Sequence, residues 1–182
     1  DVDLAKRFKN EGMALARINH PNIVVIHGIG EYEGHIYLVM ELVDGDVLEK
    51  VVKKNNLPFQ DKLQIITQLL GAINLLHDNE IIHRDIKPNN IILTGALQTK
   101  LIDFGIAKLA DVSRRFDITI NGDILGSIKY LSPEQFDGFD SSKLSDIRSL
   151  GIVFYQLLTG RYPYSLESKE TLVDDIRNKP IT

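Results

Sequence analysis

HRDIKPNN, from His83 to Asn90, decides the reading of this chain, with IDFG at Ile102–Gly105 and SPE at Ser132–Glu134. In chain order these stretches supply Asp85, Lys87, Asn90, Asp103 and Glu134. Each piece alone is ordinary. A lone His-Arg-Asp reads as a surface turn, an Asp-Phe-Gly as a loop, and Lys87-Pro88 as a solvated charge before a turn. Their order and separation carry more weight. Two carboxylates and an amide are hard oxygen donors of the kind divalent cations take, and Lys87 adds a local positive charge.

Working outward, 182 residues suffice for one well-packed domain. Hydrophobic content of 43% and charged content of 25% place the chain among ordinary globular proteins. With 21 basic against 25 acidic residues and no basic cluster, nucleic acid gets no electrostatic support as a partner. The count of 0 Cys removes disulfides and thiolate metal sites. No apolar run approaches bilayer length, and the first ten residues lack a signal-peptide layout, so the chain is expected to be cytoplasmic with no membrane segment.

Hydrophobic spacing predicts a helix over residues 3–18, ended by His20-Pro21-Asn22, then a hairpin from the runs 23–29 and 35–42. A break at Asp44-Gly45-Asp46 precedes a short helix near 47–54. Leu57-Pro58 opens a long helix to about Asn79, with Leu63, Ile66, Leu69, Leu70, Ile73 and Leu76 as its apolar stripe. Short strands are expected at 81–82, 90–93 and 99–102, and a long loop at 111–125. Residues 144–159 are apolar on nearly every face, which predicts a buried central helix stopped by Gly160. A last helix is expected near 169–178.

The motif set resembles the protein kinases, specifically the serine/threonine branch, and the wording SPEQ at Ser132–Gln135 resembles the bacterial, eukaryotic-like members. The resemblance implies an α+β, two-lobe fold: residues 1–42 as the remnant of the smaller lobe (a regulatory helix and two strands) and 43–182 as the mostly helical larger lobe. It implies ATP and Mg2+ as cofactors and a protein substrate with a Ser or Thr acceptor. By the resemblance Asp85 aligns the acceptor hydroxyl, Lys87 contacts the γ-phosphate, and Asn90 and Asp103 hold magnesium. Met40, Glu41, Val43, Asp46 and Ile92 are implied around the nucleotide, with Met40 as gatekeeper. Glu11 takes the place of the helix acid that pairs with the ATP lysine. Leu15, Ile26, His83 and Phe104 map onto a stacked spine beside Gly105, and Asp146 onto the acid that tethers the catalytic loop. Ser127 matches a hydroxyl that bonds the catalytic Asp and Lys. Arg84 next to Asp85 suggests a loop ordered by phosphorylation, with Thr119 and then Ser113 as candidate acceptors.

Four departures stand out. No Gly-rich loop or ATP lysine precedes Glu11, so the resemblance implies a fragment, inactive or impaired by itself, of an active parent. The exit Val43-Asp44-Gly45-Asp46 is one residue tighter than the usual double-Gly form. Arg148 takes a position normally held by a large aromatic and needs an acceptor or solvent. The late Arg that pairs with Glu134 has no counterpart. Two alternatives compete: a pseudokinase-type binding or regulatory module, disfavoured by the retained polar set, and a small-molecule phosphotransferase, disfavoured by the segment Gly126–Gln135.

Overall fold

A computed structural model describes residues 2–33, 35–54, 56–105 and 128–181. The loop expected at 111–125 lies outside the described residues, as do Ser113, Thr119 and Ser127. Helix α1 spans Val2–Leu15 and ends in a turn that buries Ile18. Strands β1, Ile26–Tyr32, and β2, His35–Met40, form the antiparallel hairpin, with Ile29 opposite Leu38 and a register shift between Ile26 and Gly28. The run before β1 departs from its strand expectation. Ile23 forms an isolated parallel bridge to Leu101 instead, and Val24 N donates to Leu101 O at 3.0 Å.

Asp46, expected to end the break, and Val47, expected to start the short helix, instead form a two-residue strand β3 in a second sheet. Its order is β3-β4-β5, with β4 at Ile91–Leu93 and β5 at Thr99–Leu101, all antiparallel. Gly45 permits that pairing: a Cβ there would sit 2.5 Å from Leu93 O and 2.8 Å from Ile92 Cγ2. Helix α2 follows at Leu48–Lys54. The strand expected at 81–82 does not form. Ile81 N bonds Leu76 O as the tail of the preceding helix, and the chain then runs irregularly into a 3-10 turn at Pro88–Asn90.

Helix α3 spans Phe59–Asp78 and buries Lys62, Ile65, Leu69, Ala72, Ile73 and Leu76. Leu63 and Leu70 of the expected stripe are exposed at 40% and 48%, so the inward line is rotated toward Ile65 and Ala72. Among the described residues, helices α4 (Pro133–Phe136), α5 (Lys143–Thr159) and α6 (Lys169–Asn178) follow. Gly160 closes α5 in the left-handed conformation, φ 73°.

The expectation that α5 is buried all round is corrected in detail. Leu144 and Ile147 are exposed, whereas Ser145, Asp146 and Ser149 point inward. These polar side chains stay buried because they are bonded: Ser149 Oγ donates within reach of Tyr130 O at 2.6 Å, and Asp146 accepts backbone amides.

One apolar core runs through both sheets and the long helices, joining Leu15, Ile23 and Ile26 to Leu69, Ile73, Leu101, Phe104 and Leu150. Each such side chain contributes about 1.5–3 kcal/mol on full burial. A second cluster of Ile128, Ile152, Tyr164, Leu172 and Ile176 packs α6 beneath α5.

Candidate active site

The segment after α3 is held in a strained shape. Arg84 adopts φ 70° and Asp103 φ 52°, left-handed values that cost side-chain-bearing residues about 1–3 kcal/mol each and persist only where neighbours enforce them. Asp146 is one enforcer. Its Oδ2 accepts the His83 amide at 2.8 Å and its Oδ1 the Arg84 amide at 2.9 Å. From the other side, Gly105 N donates to His83 O at 2.9 Å, and a Cβ on Gly105 would meet Arg84 Cβ at 3.1 Å. His83 is fully buried and its ring lies 4.7 Å from that of Phe104, tilted by 36°. Leu15 and Ile26 are buried in the same core.

This shape presents Asp85 beside its expected companions. Lys87 Nζ is 2.8 Å from Asp85 Oδ2, and their side chains are 18% and 10% exposed. Asn90 Nδ2 donates to Asp85 Oδ2 and to Asp85 O, both at 2.8 Å, and lies 3.4 Å from Asp103 O. Ile102 N also donates to Asn90 O at 2.9 Å, joining the segment before Asp103 to the 3-10 turn. One buried amide thus brings Asp85, Asn90 and Asp103 into a single cluster. With Nδ2 committed to donation, Asn90 Oδ1 is its acceptor atom. Asn90 Oδ1 and the exposed Asp103 carboxylate are hard oxygen donors that fit Mg2+. Among the described residues no group of three or more His, Asp or Glu is placed to hold a metal alone. A cation here would take its other oxygens from water or a phosphate.

The residues expected around a nucleotide line the link between the two sheets. Met40 ends β2 at 40% exposure, and Val43 packs against the core. Asp46 is exposed in β3 opposite Leu93, and Ile92 lies against Gly45. Glu41 departs from a simple lining role. Its amide donates to Val25 O at 2.9 Å, its Oε1 accepts the Val25 amide at 2.9 Å, and its carboxylate pairs with Lys100 of β5. Burial pushes the Glu41 carboxyl up, but the bonds from Lys100 and the Val25 amide outweigh it and hold the group below its ordinary value. Lys100 also donates to Ile23 O at 3.3 Å. Sequence reasoning did not single out Lys100; its place three residues before Asp103 was the available signal.

Glu11 and Arg84 meet each other. Both guanidinium nitrogens bond the Glu11 carboxylate, NH2 to Oε1 at 3.0 Å. Glu134 is partly buried on α4, whose start is held by Ser132 N and Oγ donating to Gln135 Oε1 at 2.9 and 3.0 Å. Arg148 finds the acceptors its position demands: Leu131 O at 2.8 Å, Tyr164 Oη at 3.0 Å and Ile176 O at 3.2 Å.

The protein kinase domain family matches residues 1–181. The serine/threonine-protein kinase PrkC of Bacillus subtilis is 42% identical over 169 residues, covering 92% of this chain and 26% of the relative. The probable serine/threonine-protein kinase PknB of Lactococcus lactis is 41% identical over 170 residues, with the same coverages. The chain therefore spans about a quarter of the length of these curated relatives. The crystal structure of Rad53 1-466 in complex with AMP-PNP shares the fold at TM-score 0.77 and 31% identity, over 94% of this chain and 43% of that one. The α+β chain belongs to the protein kinase family, among relatives named serine/threonine kinases.

Proposed function

We propose that the protein carrying this chain transfers the γ-phosphoryl group of ATP, with Mg2+, to Ser or Thr hydroxyls of a protein substrate. The observation that carries the reading is the Asp85 carboxylate, fixed by Asn90 Nδ2 and Lys87 Nζ at 2.8 Å each. Residues 1–42 and 43–182 form the smaller and larger lobes, with the nucleotide between Met40–Val43, Asp46 and Ile92. Because Glu41 uses its own N–H on Val25, its carbonyl is the group left for an adenine amino group. ATP as donor places the reaction in the cytoplasm.

In this reading Asp85 accepts a hydrogen bond from the acceptor hydroxyl, orients its oxygen toward the γ-phosphorus, and receives its proton as the new P–O bond forms and ADP departs. Lys87 places its charge beside the migrating group. Asn90 and Asp103 would hold the magnesium, which neutralises phosphate oxygens when bound. Arg84 and Asp146 keep the loop rigid, so the alignment is set before substrate arrives. Rad53 was crystallised with AMP-PNP, which supports a nucleotide site in this fold.

The test is incubation of the full-length protein with γ-labelled ATP, Mg2+ and a Ser/Thr-rich protein mixture, followed by phosphoamino acid analysis. Label on phosphoserine or phosphothreonine is the expected result. Nucleotide binding with no transfer would favour a binding module instead.

A further inference from the structure

The turn before α4 is fastened by side chains at three consecutive carbonyls. Lys129 O accepts the Tyr162 hydroxyl, Tyr130 O lies 2.6 Å from Ser149 Oγ, and Leu131 O accepts Arg148 Nη1 at 2.8 Å. Burial pushes the Tyr162 hydroxyl up, so it stays protonated and donates. Tyr162 also holds the other end of Lys129, whose ammonium lies 5.9 Å from the centroid of the same ring. Tyr130, the next residue, packs against the main core within reach of the Glu49 charge on α2. Helix α2 in turn packs on the 3-10 turn that carries Asn90. These contacts link the Lys129 backbone to the turn whose Asn90 fixes Asp85.

We propose that Lys129 is a specificity-determining residue, selecting protein substrates that carry an Asp or Glu side chain close to the Ser or Thr acceptor. The inference rests on the reading under Proposed function. Lys129 is partly exposed, and among the described residues no carboxylate pairs with it. The acids nearest this turn are already taken. Asp175, whose charge reaches Tyr162, is bonded by Lys179 Nζ at 2.6 Å and by the Ser165 amide at 3.1 Å. Glu49, whose charge reaches Tyr130, pairs with Lys53 at 2.9 Å. An ammonium held against an aromatic face, with its backbone carbonyl fixed, loses little further freedom when an anion arrives. The pairing therefore discriminates by sign of charge: a carboxylate is attracted, an amide gains little, and a second ammonium is repelled.

The experiment uses the full-length protein with Mg-ATP and a peptide set in which Glu, Gln or Lys is placed in turn at each position flanking one Ser or Thr acceptor. Wild type should favour Glu over Gln at one position by about 5- to 10-fold in kcat/KM, mainly through KM, with Lys the poorest there. Lys129→Gln should flatten that preference, and Lys129→Glu should reverse it at the same position while leaving the others as they were. Tyr162→Phe, which removes only the hydroxyl that fixes the Lys129 carbonyl, should keep the sign of the preference and shrink it to about twofold. KM for ATP should stay within about twofold in all three variants. A merely structural lysine would alter transfer to every peptide alike. The same order of peptides in wild type, Lys129→Gln and Lys129→Glu, or no distinction between Glu and Gln in wild type, would overturn the proposal. A wild type that binds ATP and transfers to no Ser or Thr, in peptides or in proteins, overturns the kinase reading itself and the proposal with it.

Discussion

Arg84 and Glu11, 73 residues apart, form a two-pronged ion pair that joins α1 to the loop presenting Asp85. Planar guanidinium and planar carboxylate match as two parallel bonds, the geometry in which such pairs are worth most. The pair also means that the acid on the regulatory-type helix reports directly on the backbone next to the proposed catalytic Asp.

Removing either partner should therefore cost stability, and removing both should cost little more. Glu11→Ala leaves the Arg84 guanidinium, 17% exposed, without its carboxylate, for an expected loss of about 1–2 kcal/mol. Urea unfolding of Glu11→Ala, Arg84→Ala and the double variant measures the coupling. Additive losses would show that the two side chains act independently.

Arg148 makes a second case of a charge kept inside by its acceptors. Truncation to Ala leaves two backbone carbonyls and the Tyr164 hydroxyl without their donor, and thermal unfolding should register about 2–3 kcal/mol of lost stability. Arg148→Lys should recover only part of it, since one ammonium cannot span three acceptors on α6, Tyr164 and the segment before α4. Full recovery by Lys would contradict this geometry.

Gly45 tests the close approach at the link between the sheets. An added methyl meets Leu93 O at 2.5 Å, so Gly45→Ala should destabilise by about 1–3 kcal/mol and weaken ATP binding measured by calorimetry. Gly95→Ala, where a Cβ meets nothing within 4 Å, is the matched control and should bind as wild type.

The turn that follows α1 is expected to sense acid. His20 Nδ1 accepts the Asn22 amide at 3.1 Å, and burial together with the Lys100 charge holds the ring below its usual value of 6.5. A neutral ring in the fold and a protonated one in the unfolded chain mean that unfolding takes up a proton. This contribution to stability is complete above the unfolded value and declines as pH falls through it toward the folded one. Glu41, also depressed, adds a loss of the same sign at lower pH as it protonates. Denaturant midpoints across about pH 7 to 5 should fall for wild type and flatten for His20→Gln. An identical slope in both would remove His20 from the account.

The motif residues were legible because short-range spacing alone places Asp85, Lys87 and Asn90 on one tight loop, and β4 and β5 return Asp103 to it. The hairpin and the long helices were equally plain from periodicity. What sequence did not show were relationships between elements. The Glu11–Arg84 and Glu41–Lys100 pairs each join residues 59 or more apart, and no local pattern announces them. The phase of α3 was misread because Leu63 and Leu70 look like core by residue type, although exposed leucines are ordinary. Inward Ser149 of α5 was hidden for the opposite reason: its burial depends on a backbone partner, Tyr130 O, contributed by a distant loop, whereas Asp146 was marked by its match to the acid that tethers the catalytic loop.

Single-turnover phosphate transfer by the full-length protein bearing Asp85→Asn isolates what this carboxylate does. The amide keeps the size of the side chain but cannot take the hydroxyl proton. ATP affinity should be unchanged and the rate about 100- to 10,000-fold lower. A rate within about threefold of wild type would rule out Asp85 as the residue that aligns the acceptor hydroxyl.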